Sequence, residues 1–410
     1  MAPSSFSPAS LPSLLQHRPF VLFWIARVST SMAFQIQGVA VGWQIYALTG
    51  SPFYLGLVGL AQFLPMFLLT LAVGHIADRY DRRSVARLCQ VLEGLAAGAL
   101  ALGSFSGWQS KETILVIVFI LGAARAFEGP TMQAMVPGLV PAPLIPRAAA
   151  GMASANQTAT ILGPALGGLL YAVGPTGAYG TASILFLVAS SFVALIRIEP
   201  SPLKREPLTL RSLFAGIAFV RSRPAILGAI SLDLFAVLFG GATALLPVYA
   251  RDILLTGPWG LGLLRSAPAV GALTMSVVLA HYPLQRRVGR IMFGAVLTFG
   301  LATIVFAVST SFALSLCSLI CLGAADVISV VIRISLVQLE TPDEMRGRVS
   351  AVNSMFIGTS NQLGEFESGL TAALLGVVPA VLMGGVGTII VAIIWMRLFP
   401  QLVQTDSLKN

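Results

Sequence analysis

Long apolar runs alternate with short polar segments along almost the whole chain. A helix that crosses a membrane needs about 20 mainly apolar residues, and twelve runs in this sequence of 410 residues reach about that length. Because the runs use nearly the entire chain, no soluble domain is left over to do chemistry. The pattern predicts an all-α membrane protein with transmembrane helices at about 20–48, 53–77, 84–107, 113–137, 148–173, 177–198, 224–253, 258–282, 290–309, 312–339, 348–375 and 379–399.

Composition supports a membrane protein and excludes an ordinary soluble fold. Hydrophobic residues make up 56% of the chain and charged residues only 10%, whereas soluble domains carry about 25% charged residues. The mean hydropathy is +0.87. A soluble fold has no use for that much apolar surface.

The basic residues that give the chain its net charge of +9 are spread unevenly among the loops. Loops on the side of the N-terminus carry most of the basic residues, among them Arg82, Arg83 and Arg286, whereas the opposite loops offer Lys111 and Arg251. This asymmetry follows the positive-inside rule and predicts that both termini are cytoplasmic. The expected polyanionic partner is the headgroup layer of membrane lipids, not nucleic acid.

The reactive residue types do not form a catalytic or metal site. Cys89, Cys317 and Cys321 all fall inside predicted spans, so we expect no disulfide framework and no metal centre. The sequence has no Ser/His/Asp set and no phosphate-binding glycine loop with its lysine. We therefore expect no enzyme, no cofactor and no ATP-driven pump.

The longest polar stretch, 199–223, divides the spans six and six. Its part from 208 to 220 has an amphipathic pattern that suits the inner membrane surface. The predicted domains are a cytoplasmic tail (1–19), an N-terminal six-helix bundle (20–198), the linker (199–223), a C-terminal six-helix bundle (224–399) and a second tail (400–410).

The second half of the chain repeats the first. Gln133 to Pro137 matches Gln338 to Pro342, and Gly163 to Gly168 matches Gly364 to Gly369. The offsets lie between about 200 and 205 residues, so the chain looks like a duplicated six-span unit. Parallel repeats of this kind place a substrate cavity between the halves and alternate its access by rocking.

The loop after the second run is a dense charged segment, Gly74-His-Ile-Ala-Asp-Arg-Tyr-Asp-Arg-Arg83. It resembles the loop between spans two and three of the major facilitator superfamily, although Asp81 stands where that family commonly has a glycine. In the family, the aspartate and the basic residues of this loop latch the two halves together on the cytoplasmic side. The resemblance implies gate residues, not substrate ligands, at Gly74, Asp78, Arg79 and Arg83.

The fifth run contains Gly163, Pro164, Gly167 and Gly168. This stretch resembles the fifth-span signature that is associated with antiporters in the superfamily, with Ala159 where the signature often begins with glycine. The resemblance implies export. Small residues four apart also form plain packing seams, and that alternative stays open.

The resemblance extends over nearly the whole chain. It is closest to the branch of the superfamily that includes bacterial enterobactin exporters and drug-efflux proteins. The stretches that carry it are Val39 to Ser51, Gly163 to Gly168, Leu246 to Asp252 and Pro342 to Arg348.

Ionisable residues inside the spans are candidates for function because they are costly to place in a membrane. No histidine falls near the membrane midplane, so proton coupling would have to use carboxylates. The candidates for proton coupling are Asp233, Asp326, Glu128, Glu365 and Glu367. The buried basic residues are Arg27, Arg125, Arg265 and Arg333, and the predicted pocket residues are Trp43, Gln44, Phe235 and Phe356.

The leading hypothesis is a secondary active transporter of the bacterial cytoplasmic (inner) membrane. As a monomer, it would export an amphipathic, siderophore-like or drug-like small molecule by alternating access in exchange for protons. One alternative is an importer, facilitator or lipid flippase of the same fold. A second alternative is a sensor or scaffold that transports nothing, in which neutralising Asp233 or Asp326 leaves function intact.

Overall fold

The computed structural model describes residues 14–197 and 210–406, without the side chains of 15, 70–79, 210–213, 343 and 351. Within these ranges the regular structure is entirely helical. The first half consists of α1 (Arg18–Thr49), α2 (Pro52–Arg79), α3 (Arg82–Ser106), α4 (Lys111–Met135), α5 (Ile145–Val173) and α6 (Pro175–Leu195).

The described part of the linker begins with the helix α7 (Leu210–Ser222). Its Val220 packs in a cluster with Ile226 and Val352 of the second half, so the linker helix lies against that half. The second half comprises α8 (Pro224–Phe239), α9 (Leu246–Val248), α10 (Gly257–His281), α11 (Val288–Val308), α12 (Phe312–Glu340), α13 (Asp343–Leu375) and α14 (Val377–Leu398), and α15 (Pro400–Gln404) follows it.

Ten spans of the described residues are long and apolar enough to cross a membrane. The helices α5 and α13 complete the twelve with 29 and 33 residues, but they are more polar. Their positions explain this, because each packs along a helix of the other half, α5 on α10 and α13 on α2. Helices between the two halves face protein, so they need less apolar surface than helices that face lipid.

The seventh span, Pro224–Ile253, is one predicted run but a broken helix. After α8 the chain passes Gly240 and Gly241 and continues as a 3₁₀ turn, Ala242–Leu245, then as α9 and as a single π-helical turn, Tyr249–Ile253. Pro247 in α9 lacks a backbone N–H and cannot continue regular α-helical bonding. The break turns Arg251 and Asp252 of the π turn towards α1.

The two halves interlock at one end of the bundle. With twelve spans both termini lie on the same side, which we call the terminal side, and the opposite side is the far side. Val39 and Trp43 of α1 pack inside a cluster of the second half, and Val248 and Val377 pack inside a cluster of the first. The described clusters on the terminal side each contain residues of one half alone. The structure is therefore closed on the far side.

Polar contacts hold the far side together as well. The Tyr46 hydroxyl donates to the carboxylate of Asp252, and Nη1 of Arg251 donates to the Tyr46 carbonyl at 3.1 Å. We call these three residues the far-side latch. It joins the end of α1 to the π turn of the seventh span.

Glycines allow the close helix crossings between the halves, and they follow the sequence repeat. A Cβ on Gly168 of α5 would lie 2.9 Å from Cα of Gly262 in α10. At the matching position of the repeat, a Cβ on Gly369 of α13 would lie 2.6 Å from Cα of Gly56 in α2. Separations below 3.0 Å leave no room for any side chain, so both crossings require glycine.

The rest of the fifth-span signature packs inside the first half. A Cβ on Gly163 would lie 3.2 Å from Cγ of Gln35, and one on Gly167 would lie 2.9 Å from Cα of Ile36, both in α1. Pro164 lies on the other face with Gly168, and its carbonyl approaches Gly262. The signature thus gives α5 two close seams, one with α1 and one with α10.

Candidate functional site

A cavity lies among the helices of the first half and is lined on one side by Gln362 of α13 in the second. Its wall combines apolar side chains with amides and charges. The polar part and the main aromatic ring are Gln37, Gln62, Gln362, Glu93, Arg125 and Phe34.

The amides of this central cavity have hydrogen-bonding capacity that the protein does not use. Gln37 is 4% exposed, and neither its Nε2 nor its Oε1 has a partner among the residues that the structure describes. Oε1 of Gln362 is also buried without one. Buried polar groups are nearly always hydrogen-bonded, so these amides are available to a ligand or to water in the cavity.

The buried charges of the first half form a balanced network next to the cavity. The guanidinium of Arg125 stacks on the ring of Phe34, with Cζ 3.4 Å from the ring centroid. Oε1 of Glu128 accepts from Nε2 of Gln90 at 3.2 Å, and Glu93 is buried nearby.

Arg125 and Glu128, which lie one helical turn apart in α4, form no direct ion pair among the described residues. Their charges and those of Arg27 and Glu93 still interact. The network therefore combines two basic and two acidic side chains.

The second half has its own buried charges and a smaller cavity. Nη2 of Arg333 is 3.2 Å from Oδ2 of Asp233, and Nη1 of Arg333 donates to Oδ1 of Asn353 at 2.7 Å. Asp326 and Ser329 line the same cavity as Asp233, and the buried Ser329 hydroxyl has no partner within the described ranges. The cluster thus contains two acidic side chains and one guanidinium, and with both carboxylates ionised it has one negative charge in excess.

The remaining predicted ionisable residues lie at or near the contact between the halves. Nη1 of Arg265 donates to the carbonyl of Gly38 in α1 at 3.1 Å. Glu365 packs against Gly59 of α2. Glu367 accepts from Oγ1 of Thr371 in its own helix at 2.9 Å.

The predicted cytoplasmic gate is only partly within the described side chains. Those of Gly74, Asp78 and Arg79, at the end of α2, lie outside them. Arg83 is described, and its Nη1 donates to the carbonyl of Ile196 after α6 at 2.7 Å. In this structure, whose far side is closed, Arg83 thus connects α3 to the end of α6 within the first half.

Asp81, the departure from the family pattern, caps α3. Its carboxylate accepts from the backbone N–H groups of Arg83 and Ser84 and from the Ser84 hydroxyl. Partial burial alone would raise the pKa of Asp81, but these hydrogen bonds and the charge of Arg83 outweigh it and hold the pKa below its usual value. The capping carboxylate is therefore ionised at neutral pH and stabilises the start of α3.

The structure places the four predicted pocket residues elsewhere than in the two cavities. Trp43 lies 6.5 Å from the ring of Tyr171, Phe235 lies 5.2 Å from that of Trp395, and Phe356 packs near the linker helix. Gln44 is the fourth, and its Nε2 donates to Oε1 of Gln109 at 2.7 Å.

The sequence interpretation missed Phe34, Gln62, Gln362 and Asn353. A signal existed for the glutamines, because an amide inside an apolar span needs a polar partner or a cavity.

Two six-helix bundles, duplicated crossings and buried charges around a cavity between the halves define a membrane transporter of the major facilitator superfamily. The chain belongs to the transmembrane secretion effector family of that superfamily, whose family model matches residues 6–409. Both the superfamily and the all-α, twelve-helix fold predicted from the sequence are confirmed. The family consists of transporters and not of enzymes, as predicted.

Similar proteins agree with this assignment. The chain is 28% identical to the enterobactin exporter EntS of Citrobacter koseri over 96% of this chain and 94% of the relative. It is 26% identical to EntS of Escherichia coli O1:K1 / APEC with the same coverage. A solved bacterial homologue of the human lysosomal transporter Spinster, in an inward-facing and occupied conformation, has a TM-score of 0.75 at 12% identity, covering 95% of this chain and 97% of that one.

Proposed function

We propose that the protein exports an amphipathic small molecule from the cytoplasm across the bacterial inner membrane in exchange for protons. It works as a monomer embedded in lipid, with both termini in the cytoplasm. Export is supported by the family and by relatives that are named as exporters. In this orientation the structure is the inward-facing state, because the far side is closed.

The substrate site is the central cavity. The proposal is supported mainly by the wall of this cavity. There, the amides of Gln37 and Gln362, whose hydrogen bonds the described residues do not satisfy in full, lie among apolar and aromatic side chains. Such a wall suits a molecule with apolar rings and a few hydrogen-bonding groups, since ligand pockets are mostly apolar with a small number of placed polar groups. Because Gln362 comes from the second half, a bound molecule contacts both halves.

The proton site is the cluster in the second half. Asp233 and Asp326 face one guanidinium, and an uncompensated charge in a membrane interior is costly. Arg333 lies 3.2 Å from Asp233, whereas Asp326 has no hydrogen bond among the described residues. Asp326 therefore binds the proton. The release of this proton to the cytoplasm accompanies the export step.

The test is proton movement by the purified protein in proteoliposomes that contain a pH-sensitive dye. Enterobactin, other siderophores, dyes and antibiotics are added one at a time to wild-type protein and to Asp326→Asn. We expect at least one compound to move protons through the wild type and none through the variant. Glu367→Gln is the matched control, since Glu367 bonds within its own helix, and it should keep the proton signal.

Two outcomes would overturn the proposal in different ways. If a compound crosses down its own gradient without moving protons, the protein is a facilitator. If no compound crosses, it is a sensor or scaffold.

A further inference from the structure

Arg265 of α10 reaches across the boundary between the halves and ends on the backbone of α1. Its Nη1 donates to the Gly38 carbonyl at 3.1 Å, and the same nitrogen is 3.7 Å from the position of a Cβ on Gly42. The guanidinium thus lies on a strip of α1 that has no side chains. In an α-helix the Gly38 carbonyl also accepts the bond from residue 42, so Arg265 uses its second lone pair.

Glu365 of α13 reaches the other half in the same way. Its Oε2 lies 2.9 Å from the position of a Cβ on Gly59 in α2, so the carboxylate occupies the space that this glycine leaves. Gly38, the acceptor of Arg265, and Gln362, three residues before Glu365 in α13, line the same central cavity. Arg265 and Glu365 nevertheless form no direct ion pair among the described residues.

The other four carboxylates that the sequence predicts for proton coupling lie next to residues of their own half. Asp233 pairs with Arg333, Glu128 with Gln90 and Glu367 with Thr371. Asp326 lines the cavity of the second half. Glu365 is the one of the five that is packed against the opposite half.

We propose that Arg265 exchanges acceptors during the transport cycle, from the Gly38 carbonyl when the far side is closed to the Glu365 carboxylate when it is open. Opening the far side moves α1 and α2 away from α10 and α13, which removes the Gly38 carbonyl from Arg265. Glu365 belongs to the same half as Arg265 and stays near it. A guanidinium left without an acceptor in a membrane interior is costly, so Glu365 is the positioning residue that makes the open state accessible.

This inference builds on the proposed alternating-access transport but needs neither a substrate nor proton coupling for its test. Spin labels are placed on Val173 and Val308, which are 91% and 59% exposed at the far-side ends of α5 and α11. The native cysteines Cys89, Cys317 and Cys321 are first replaced by serine or alanine. Pulsed electron resonance distances in lipid nanodiscs then give the populations of the closed and open far side.

The exchange predicts that Arg265 and Glu365 act as a pair. Glu365→Gln removes the acceptor of the open state and should favour the closed far side by about tenfold, because hydrogen bonds to charged groups are the strong ones. Arg265→Met removes the donor from both states, so Glu365→Gln should shift the populations much less in an Arg265→Met background than in the wild type. Glu365→Asp keeps the charge on a shorter side chain and should lie between Glu365→Gln and wild type.

If Glu365 merely fills space against Gly59, Glu365→Gln should leave the populations unchanged or open the far side. Either result overturns the exchange, as does a Glu365→Gln shift of the same size in the Arg265→Met background. These distances do not depend on proton movement, so failure of the antiport proposal in proteoliposomes would leave this result interpretable. A wild type that moves protons while both variants keep wild-type distances would overturn the exchange alone.

Discussion

Replacing Arg333 by methionine should destabilise the protein far more than replacing its partner Asp233 by asparagine. The pair is buried, with side chains 2% and 7% exposed and 3.2 Å between Nη2 and Oδ2. Arg333→Met leaves the carboxylates of Asp233 and Asp326 facing each other without a cation. Asp233→Asn leaves Arg333 with its bond to Asn353 and with the charge of Asp326 nearby.

The magnitudes follow from burial. Removing one partner of a buried ion pair costs about 3–5 kcal/mol, and Arg333→Met should reach this range because two carboxylates lose their counter-charge. Asp233→Asn should cost about 1–2 kcal/mol, since one hydrogen bond to a charged group is weakened and no charge is left alone. The double variant retains only Asp326 as a buried charge in this cluster, and it should recover much of the loss seen in Arg333→Met.

The assay is equilibrium unfolding in mixed micelles of detergent and dodecyl sulfate, followed by tryptophan fluorescence. Glu112→Gln is the control, because Glu112 pairs with Lys111 at 3.9 Å on the surface and exposed pairs contribute little. The reasoning about shared charge would be refuted if Asp233→Asn were as destabilising as Arg333→Met. It would also be refuted if the double variant were less stable than Arg333→Met alone.

Three further changes test the far side and the central cavity. Tyr46→Phe removes the hydrogen bond to Asp252, and it should raise the open population about fivefold in the spin-label assay, since partial exposure weakens a bond of this kind to about 1 kcal/mol. Gly168→Val places a side chain 2.9 Å from Cα of Gly262 and should separate α5 from α10, so the labelled ends should move apart. Gln37→Leu removes an amide without a protein partner and should weaken substrate binding about fivefold to tenfold without loss of stability.

Each of these changes has a matched control. Tyr54→Phe changes a tyrosine whose ring lies under Lys111 of its own half, so the far side should stay closed. Gly180→Val adds a side chain where a Cβ meets nothing within 4 Å, and the distances should not change. Gln44→Leu removes an amide bonded to Gln109 and should lower stability and leave substrate affinity unchanged. A Gln37→Leu variant as unstable as Gln44→Leu would contradict the assignment of Gln37 to a ligand.

The fold could be predicted from the sequence because a membrane imposes a simple rule on apolar length. Lipid offers no hydrogen bonds, so each crossing is a helix of about 20 residues. Apolar length does not reveal the breaks that glycine and proline make inside an apolar run. The seventh span was therefore predicted as one continuous helix. The break matters, because it directs Arg251 and Asp252 towards α1.

The ionisable residues of the site were also visible in the sequence, but their partners were not. Asp233 and Arg333 are 100 positions apart and meet because α8 and α12 pack together. Arg125 and Glu128 share a helical face, and that spacing predicts a pair. In the structure, Arg125 stacks on Phe34 of α1 instead. Local spacing cannot foresee a partner on another helix.

The two halves keep the packing of their common repeat and differ in charge. Gly168 and Gly369 make equivalent crossings to the opposite half, so the glycines preserve the contact about which the halves move. The first half balances its buried charges and contributes most of the central cavity. The second half holds one excess carboxylate in a separate cavity. In the proposed exchange of a substrate for a proton, the two separate cavities would respond to one motion of the halves, and a duplicated unit whose glycines persist while its charges diverge fits that proposal.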